Sequence, residues 1–96
     1  MNQPIDELRV MILMIARSLV DHPDAVRVDL LSDGETITFS VYTDSRDTGK
    51  IIGVSGRTAR ALRVLVHANG VKLKRRLILN ICSPGDGRVE HSSAAD

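Results

Sequence analysis

The stretch TGKIIGVSGRTARALRVLV at residues 48–66 restricts the fold more than any other part of this 96-residue chain. The spacing of its apolar residues changes at a pair of glycines, Gly53 and Gly56. Residues 49–54 are too short and too glycine-rich for more than about one turn of helix. From Arg57 a longer helix is expected. Leu62, Leu65 and Val66 fall on one side, with Ala59 and Ala61 at its edges, and Arg57, Arg60, Arg63 and His67 fall on the other. Asn69-Gly70 is expected to close this helix as a C-terminal cap. The chain is thus committed to a short helix and a long one joined by Gly-Val-Ser-Gly.

The flanking segments fill in the rest. Ile5, Leu8, Ile12, Ile15 and Leu19 have the three-four spacing of an amphipathic helix. Pro4 suits its first turn, and Asp6 and Glu7 suit the positive end of its dipole. Pro23 ends it, because the residue before proline is pushed out of helical geometry. Val26, Val28 and Leu30 alternate with polar residues, as do Ile37, Phe39 and Val41, and the turn SDGE at residues 32–35 joins them as a hairpin. Leu77, Leu79 and Ile81 give a third strand, and Ile78 makes it read as covered on both faces. The order helix, strand, strand, short helix, helix, strand predicts an α+β fold. Its three-stranded mixed sheet joins a hairpin to a parallel crossover, with three helices on one face. The expected domain spans residues 1–83. The polar, aperiodic residues 84–96 are expected to be a disordered tail.

Charge is sorted along the chain. Residues 46–76 hold nine basic side chains against one acid, Asp47, for a net +8, whereas the remainder holds four against eleven acids, for a net −7. Such sorting suits an anionic partner for one surface, or a solvated basic face with acidic neighbours folded against it. The apolar run from Val10 follows Asp6 and Glu7 and lacks the features of a signal peptide, and no run has the length of a membrane helix. A single cysteine, Cys82, excludes an internal disulfide and fits a reducing, cytoplasmic setting.

Catalytic patterns fail one by one. A P-loop would need glycine at position 44 and serine or threonine at 51, where the chain has Asp44 and Ile51. A dinucleotide fingerprint fails at the same isoleucine. His22, His67 and His91 have no metal-ligand spacing with one another or with Cys82, so no metal or other cofactor is expected. Cys82 reads as a small core residue, and Ser55 lacks a nucleophile elbow. What remains is the glycine pair in front of the arginine-bearing helix. The first amides of a helix lack internal partners and its dipole attracts anions. Flanking glycines let a phosphate backbone approach and the turn adopt positive φ. Arg57 in the first turn and Lys50 before the loop are candidate phosphate contacts. A plain turn punctuated by glycine is the competing reading.

IIGVSGRTARAL resembles the I-G-x-x-G signature of the KH nucleic-acid-binding domain, and the order of elements is similar to its prokaryotic type II form. SLVDHPDAVRV and DTGKIIGVSGRTARALRVLV resemble, more narrowly, the small single-KH-domain bacterial proteins of the KhpA type, over roughly residues 4–82. The resemblance implies that Val54 and Ser55, between Gly53 and Gly56, meet the backbone of about four single-stranded nucleotides. It implies that Ile52 lines an apolar groove under the bases, and that Lys72 and Lys74, between the last helix and strand, border the opposite side. KH domains often carry lysine or arginine at one of the two middle loop positions. This chain has valine and serine there, which shifts the electrostatic role to Lys50, Arg57 and Arg60. Only Phe39 and Tyr42 are aromatic, which suits an aliphatic KH groove better than the stacking platforms of RRM or OB folds.

The function implied is a non-catalytic RNA chaperone or post-transcriptional regulator. It would pair as a homodimer, or with a second KH-containing protein of the KhpB/Jag type. The alternative is a KH-fold protein-interaction module with little RNA binding of its own, an option the uncharged Val54-Ser55 pair leaves open.

Overall fold

The computed structural model describes residues 3–82 and the backbone of residues 89–91. Helix α1 spans Gln3–Leu19 and ends before a 3-10 turn at Pro23–Ala25. Strands β1 (Arg27–Asp33) and β2 (Thr36–Tyr42) form the antiparallel hairpin, turning at Gly34 with φ 66°. Helix α2 (Thr48–Ile52), a 3-10 turn at Val54–Gly56, and helix α3 (Arg57–Leu73) follow and lead into β3 (Arg76–Cys82). β3 lies parallel to β2, with Ile37 opposite Leu77 and Val41 opposite Ile81. The expected mixed sheet of three strands is therefore present. A short fourth strand, β4 (Val89–His91), pairs antiparallel with the outer edge of β3. It falls within residues 84–96, for which disorder is the sequence expectation, and the rest of that segment lies outside the described residues.

One core holds the molecule together. Ile5, Leu8, Ile12 and Ala16 of α1, Ile51 of α2, and Ala59, Leu62 and Val66 of α3 pack on Val28, Ile37, Phe39, Val41, Leu77, Leu79 and Ile81. Phe39 is fully buried near the middle of the sheet. The helices cover one face only, so β3 alternates like β2: Ile78 is half-buried between Leu77 and Leu79, and the expectation of a strand covered on both faces is corrected. Leu65 is likewise 45% exposed. It sits one residue short of Val66 in the helical rotation, outside the stripe that reaches the sheet.

The end of α3 also departs from expectation. Gly70 is no cap but a buried residue inside the helix. A Cβ there would lie 2.7 Å from the Arg75 carbonyl oxygen and 3.3 Å from Leu77 Cγ. Glycine is needed because the chain folds back across it: Arg75 N donates to Gly70 O at 2.9 Å, and Lys74, with φ 58°, is the left-handed cap. Lys72 thus belongs to the last turn of α3, not to the connection. Among the described residues, no helix is long and apolar enough to cross a membrane.

Candidate nucleic-acid interface

The loop between α2 and α3 is built by backbone geometry. Gly53 N donates to Gly49 O at 2.9 Å, closing α2, and Gly56 N donates to Gly53 O at 3.1 Å. Gly53 (φ 82°), Ser55 (φ 55°) and Gly56 (φ 74°) all have positive φ. The two glycines meet separate needs. At Gly53 a Cβ would lie 2.4 Å from Thr58 Oγ1 and 2.9 Å from Thr58 N, so the loop folds tightly onto the start of α3. At Gly56 a Cβ would meet only the Arg60 guanidinium, in ordinary contact at 3.8 Å, and it is the left-handed backbone that asks for glycine. Ser55 takes a similar conformation with a side chain, at a cost of about 1 kcal/mol or more. Val54 stands at the tip, 79% exposed.

At the head of α2, the end away from the loop, Asp47 anchors the helix. Its carboxylate is buried and accepts the His22 backbone N–H and a bond from His22 Nδ1, both at 2.9 Å. An ionised carboxylate only accepts, so His22 Nδ1 carries a proton. Burial pushes the Asp47 carboxyl up, but the His22 side chain and the backbone amides of His22 and Asp21 outweigh it and hold the group below its ordinary value. Among the described residues Asp47 Oδ1 has no hydrogen-bond partner, although Lys50 Nζ lies 3.6 Å away and also 3.5 Å from Asp21 Oδ2. Lys50 is therefore already engaged with two carboxylates. Thr43 and Thr48 hydroxyls, 3.1 Å apart, complete this buried polar cluster.

The charge missing from the loop tip is supplied from the helix. Arg60 Nη2 donates to Ser55 O at 3.3 Å, which brings a guanidinium to the uncharged Val54-Ser55 turn. One turn further along α3, Arg63 Nε donates to Leu79 O on β3 at 3.3 Å. Between α3 and β3 runs a groove of about 830 Å³. Arg60, Arg63, Val64, His67 and Val71 line it from the helix, Lys74 and Arg75 at the corner, and Arg76, Ile78 and Leu79 from the strand. Val64 and Val71 are exposed apolar side chains on its rim. Cationic ends and an aliphatic floor suit a chain of phosphates carrying bases.

Eight of the ten expected site residues fall into two groups. Arg60 and Lys74 line the groove; Lys50, Gly53, Val54, Ser55, Gly56 and Arg57 belong to the α2–loop–α3 junction at its end. Ile52 packs against the core instead of lining the groove, and Lys72 is exposed outside it. Arg63, His67, Arg75 and Arg76 are lining residues that sequence reasoning left out of the site. The signal for the first two was present, since they share the polar helix face with Arg60.

Comparison with known proteins agrees with this architecture. The sequence model of the KhpA/KhpB KH domain matches residues 9–81. The RNA-binding protein KhpA of Halalkalibacterium halodurans is 45% identical over 74 residues, covering 77% of this chain and 97% of the relative. The KhpA proteins of Bacillus subtilis and Aquifex aeolicus, also named RNA-binding, are 39% and 38% identical over 74 residues, covering 77% of this chain and 91% and 94% of theirs. With a KH order of elements, a Gly-Val-Ser-Gly turn at the head of a basic helix, and these matches over most of its length, the chain belongs to the KhpA/KhpB KH-domain family.

Proposed function

We propose that the protein is a non-catalytic, cytoplasmic single-stranded RNA-binding module that acts as an RNA chaperone or post-transcriptional regulator. The observation that carries this reading is the continuity of the positive-φ loop with the α3–β3 groove, bridged by Arg60. The loop offers exposed backbone to a phosphate chain, and Arg60, Arg63 and Arg76 follow it along the groove. Val64, Val71 and Ile78 provide apolar surface for bases. About four nucleotides fill such a groove, so a single domain binds weakly. Pairing with a second copy, or with a KH-containing protein of the KhpB/Jag type, raises affinity through effective concentration. The names of the relatives support RNA as the ligand.

The test is titration of short single-stranded RNAs with wild type and with Gly53→Asp/Gly56→Asp. Binding is expected to be lost in a double variant that remains folded, and unchanged binding would rule out the loop. A protein-interaction role has one observation in its favour: Val54, Val64, Leu65 and Val71 are all exposed near the loop and along α3. Crosslinking in cells separates the two, because an interaction module yields a partner without RNA.

A further inference from the structure

The far end of the α3–β3 groove is a corner of three successive cations, Lys74, Arg75 and Arg76. Lys74 lies fourteen positions beyond Arg60, about 21 Å along the axis at the rise of an α-helix. Val64, Val71 and Ile78 supply apolar surface between these ends. A strand of about four nucleotides that starts on the Gly-Val-Ser-Gly loop and follows α3 therefore reaches the corner with its last residue.

Three observations make the corner more than a solvated helix end. Arg27, Arg46 and Lys50 are each paired with a carboxylate. Among the described residues no carboxylate forms an ion pair with Lys74, Arg75 or Arg76, although Glu35 adjoins them in the hairpin turn. Nor are these side chains needed to cap α3. The backbone amides of Lys74 and Arg75 already donate to Val71 O at 3.3 Å and to Gly70 O at 2.9 Å. Finally, Lys74 has a left-handed backbone, φ 58°, at a position where glycine is the usual residue. A side chain is strained there, yet the chain carries an exposed lysine. The corner is also braced. Glu35 O accepts the Arg76 backbone N–H at 3.2 Å and Arg75 Nε at 3.5 Å, which holds the start of β3 and the Arg75 guanidinium against the hairpin turn.

Three such cations exceed the single charge of one phosphodiester. A phosphomonoester carries about −1.5 to −2 at neutral pH and offers three acceptor oxygens for charge-assisted hydrogen bonds. In an RNA strand that group occurs only at an end. We infer that the Lys74–Arg75–Arg76 corner holds the terminal phosphate of an RNA strand whose other end lies on the loop, so that the protein selects phosphorylated RNA ends. The inference rests on the RNA reading of the groove and adds to it the kind of end the groove selects. A strand lies in the groove in one direction, so only one of the two ends, 5′ or 3′, gains from a phosphate.

The test is NMR titration of the full chain with three tetrauridylates: one with a 5′-phosphate, one with a 3′-phosphate and one with hydroxyls at both ends. One phosphorylated tetramer is expected to bind about 5- to 20-fold tighter than the hydroxyl-ended one. The added phosphate is expected to move the amide signals of residues 74–76. Lys74→Gly removes a cation and relieves the left-handed backbone, so the fold is kept. Combined with Arg76→Gln, it is expected to bring the affinity ratio to about one. Arg57→Gln, at the loop end, is expected to weaken all three RNAs by the same factor and leave the ratio alone. Equal affinity for the three RNAs overturns the corner and leaves the RNA reading standing. Equal gains from both phosphates, or a preference that survives Lys74→Gly/Arg76→Gln, would mean general attraction and overturn it as well. Failure of all three to bind also overturns the corner, and a hydroxyl-ended octamer then shows whether the RNA reading fails with it.

Discussion

Gly49 and Gly70 both lie in helices, yet an alanine would meet opposite surroundings at the two. At Gly49 nothing lies within 4 Å of a Cβ. Gly49→Ala is expected to stabilise the protein by about 0.5–1 kcal/mol through the lost backbone freedom of the unfolded chain. At Gly70 the same propensity gain is offset by a backbone oxygen 2.7 Å from the new carbon. Gly70→Ala is expected to destabilise by about 1–3 kcal/mol, as overpacking does. Denaturant midpoints at constant slope read both signs. Arg60 carries the functional question at this scale, because its bond to Ser55 O stands in for a cation in the loop. Arg60→Gln is expected to weaken RNA binding, and Val54→Lys in the same chain to restore it. Failure of the lysine to rescue would show that Arg60 acts by shaping the turn instead of by charge.

The elements show what local sequence could and could not reveal. α1, the hairpin, α2, the loop and the start of α3 were legible because each is written in a repeating apolar spacing or a glycine at a sharp turn. The end of α3 was not, because Asn-Gly has the appearance of a cap and only the close approach of Arg75 to Gly70 explains a helical glycine. β4 is three residues long, too short to show a period, and is defined by its pairing with β3. The groove needed tertiary structure to bring Arg63 and His67 beside Arg75 and Arg76. Least legible was the Asp47–His22 contact, which ties the segment after α1 to the head of α2 across 25 positions. It has a pH signature. The folded Asp47 carboxyl sits below its ordinary value, so the folded state binds that proton less readily than the unfolded chain. Its contribution is complete above the unfolded value near 3.8 and is lost as pH falls through the lower folded value. Asp44, whose carboxyl is held far down by the Arg46 side chain, adds to the same acid limb. Asp47→Asn is therefore expected to lower the melting temperature at neutral pH and to flatten its fall in acid. An unchanged acid limb would show that the buried pair does not couple to folding.

At the scale of the whole molecule, the charge sorting seen along the chain becomes a sorting in space. Arg60, Arg63, Lys74, Arg75 and Arg76 converge on one groove, while Lys50 is engaged by Asp21 and Asp47 at the loop's base. Arg9 and Arg17 lie on α1, outside the groove. This separation predicts which cations set the salt dependence of RNA binding. A groove that neutralises about two to four phosphates of a single strand gives a log–log salt slope of roughly −1.5 to −3. Replacing Arg75 and Arg76 with glutamine is expected to bring that slope nearer zero by about 0.7 to 1.4, because each lost phosphate contact removes about 0.7. Replacing Arg9 and Arg17 with glutamine is expected to leave the slope alone, although it removes the same formal charge. Titrations of one RNA over a range of salt concentrations distinguish the cases. Equal losses from both pairs would mean that RNA senses only net charge, in which case the groove between α3 and β3 is not where it binds.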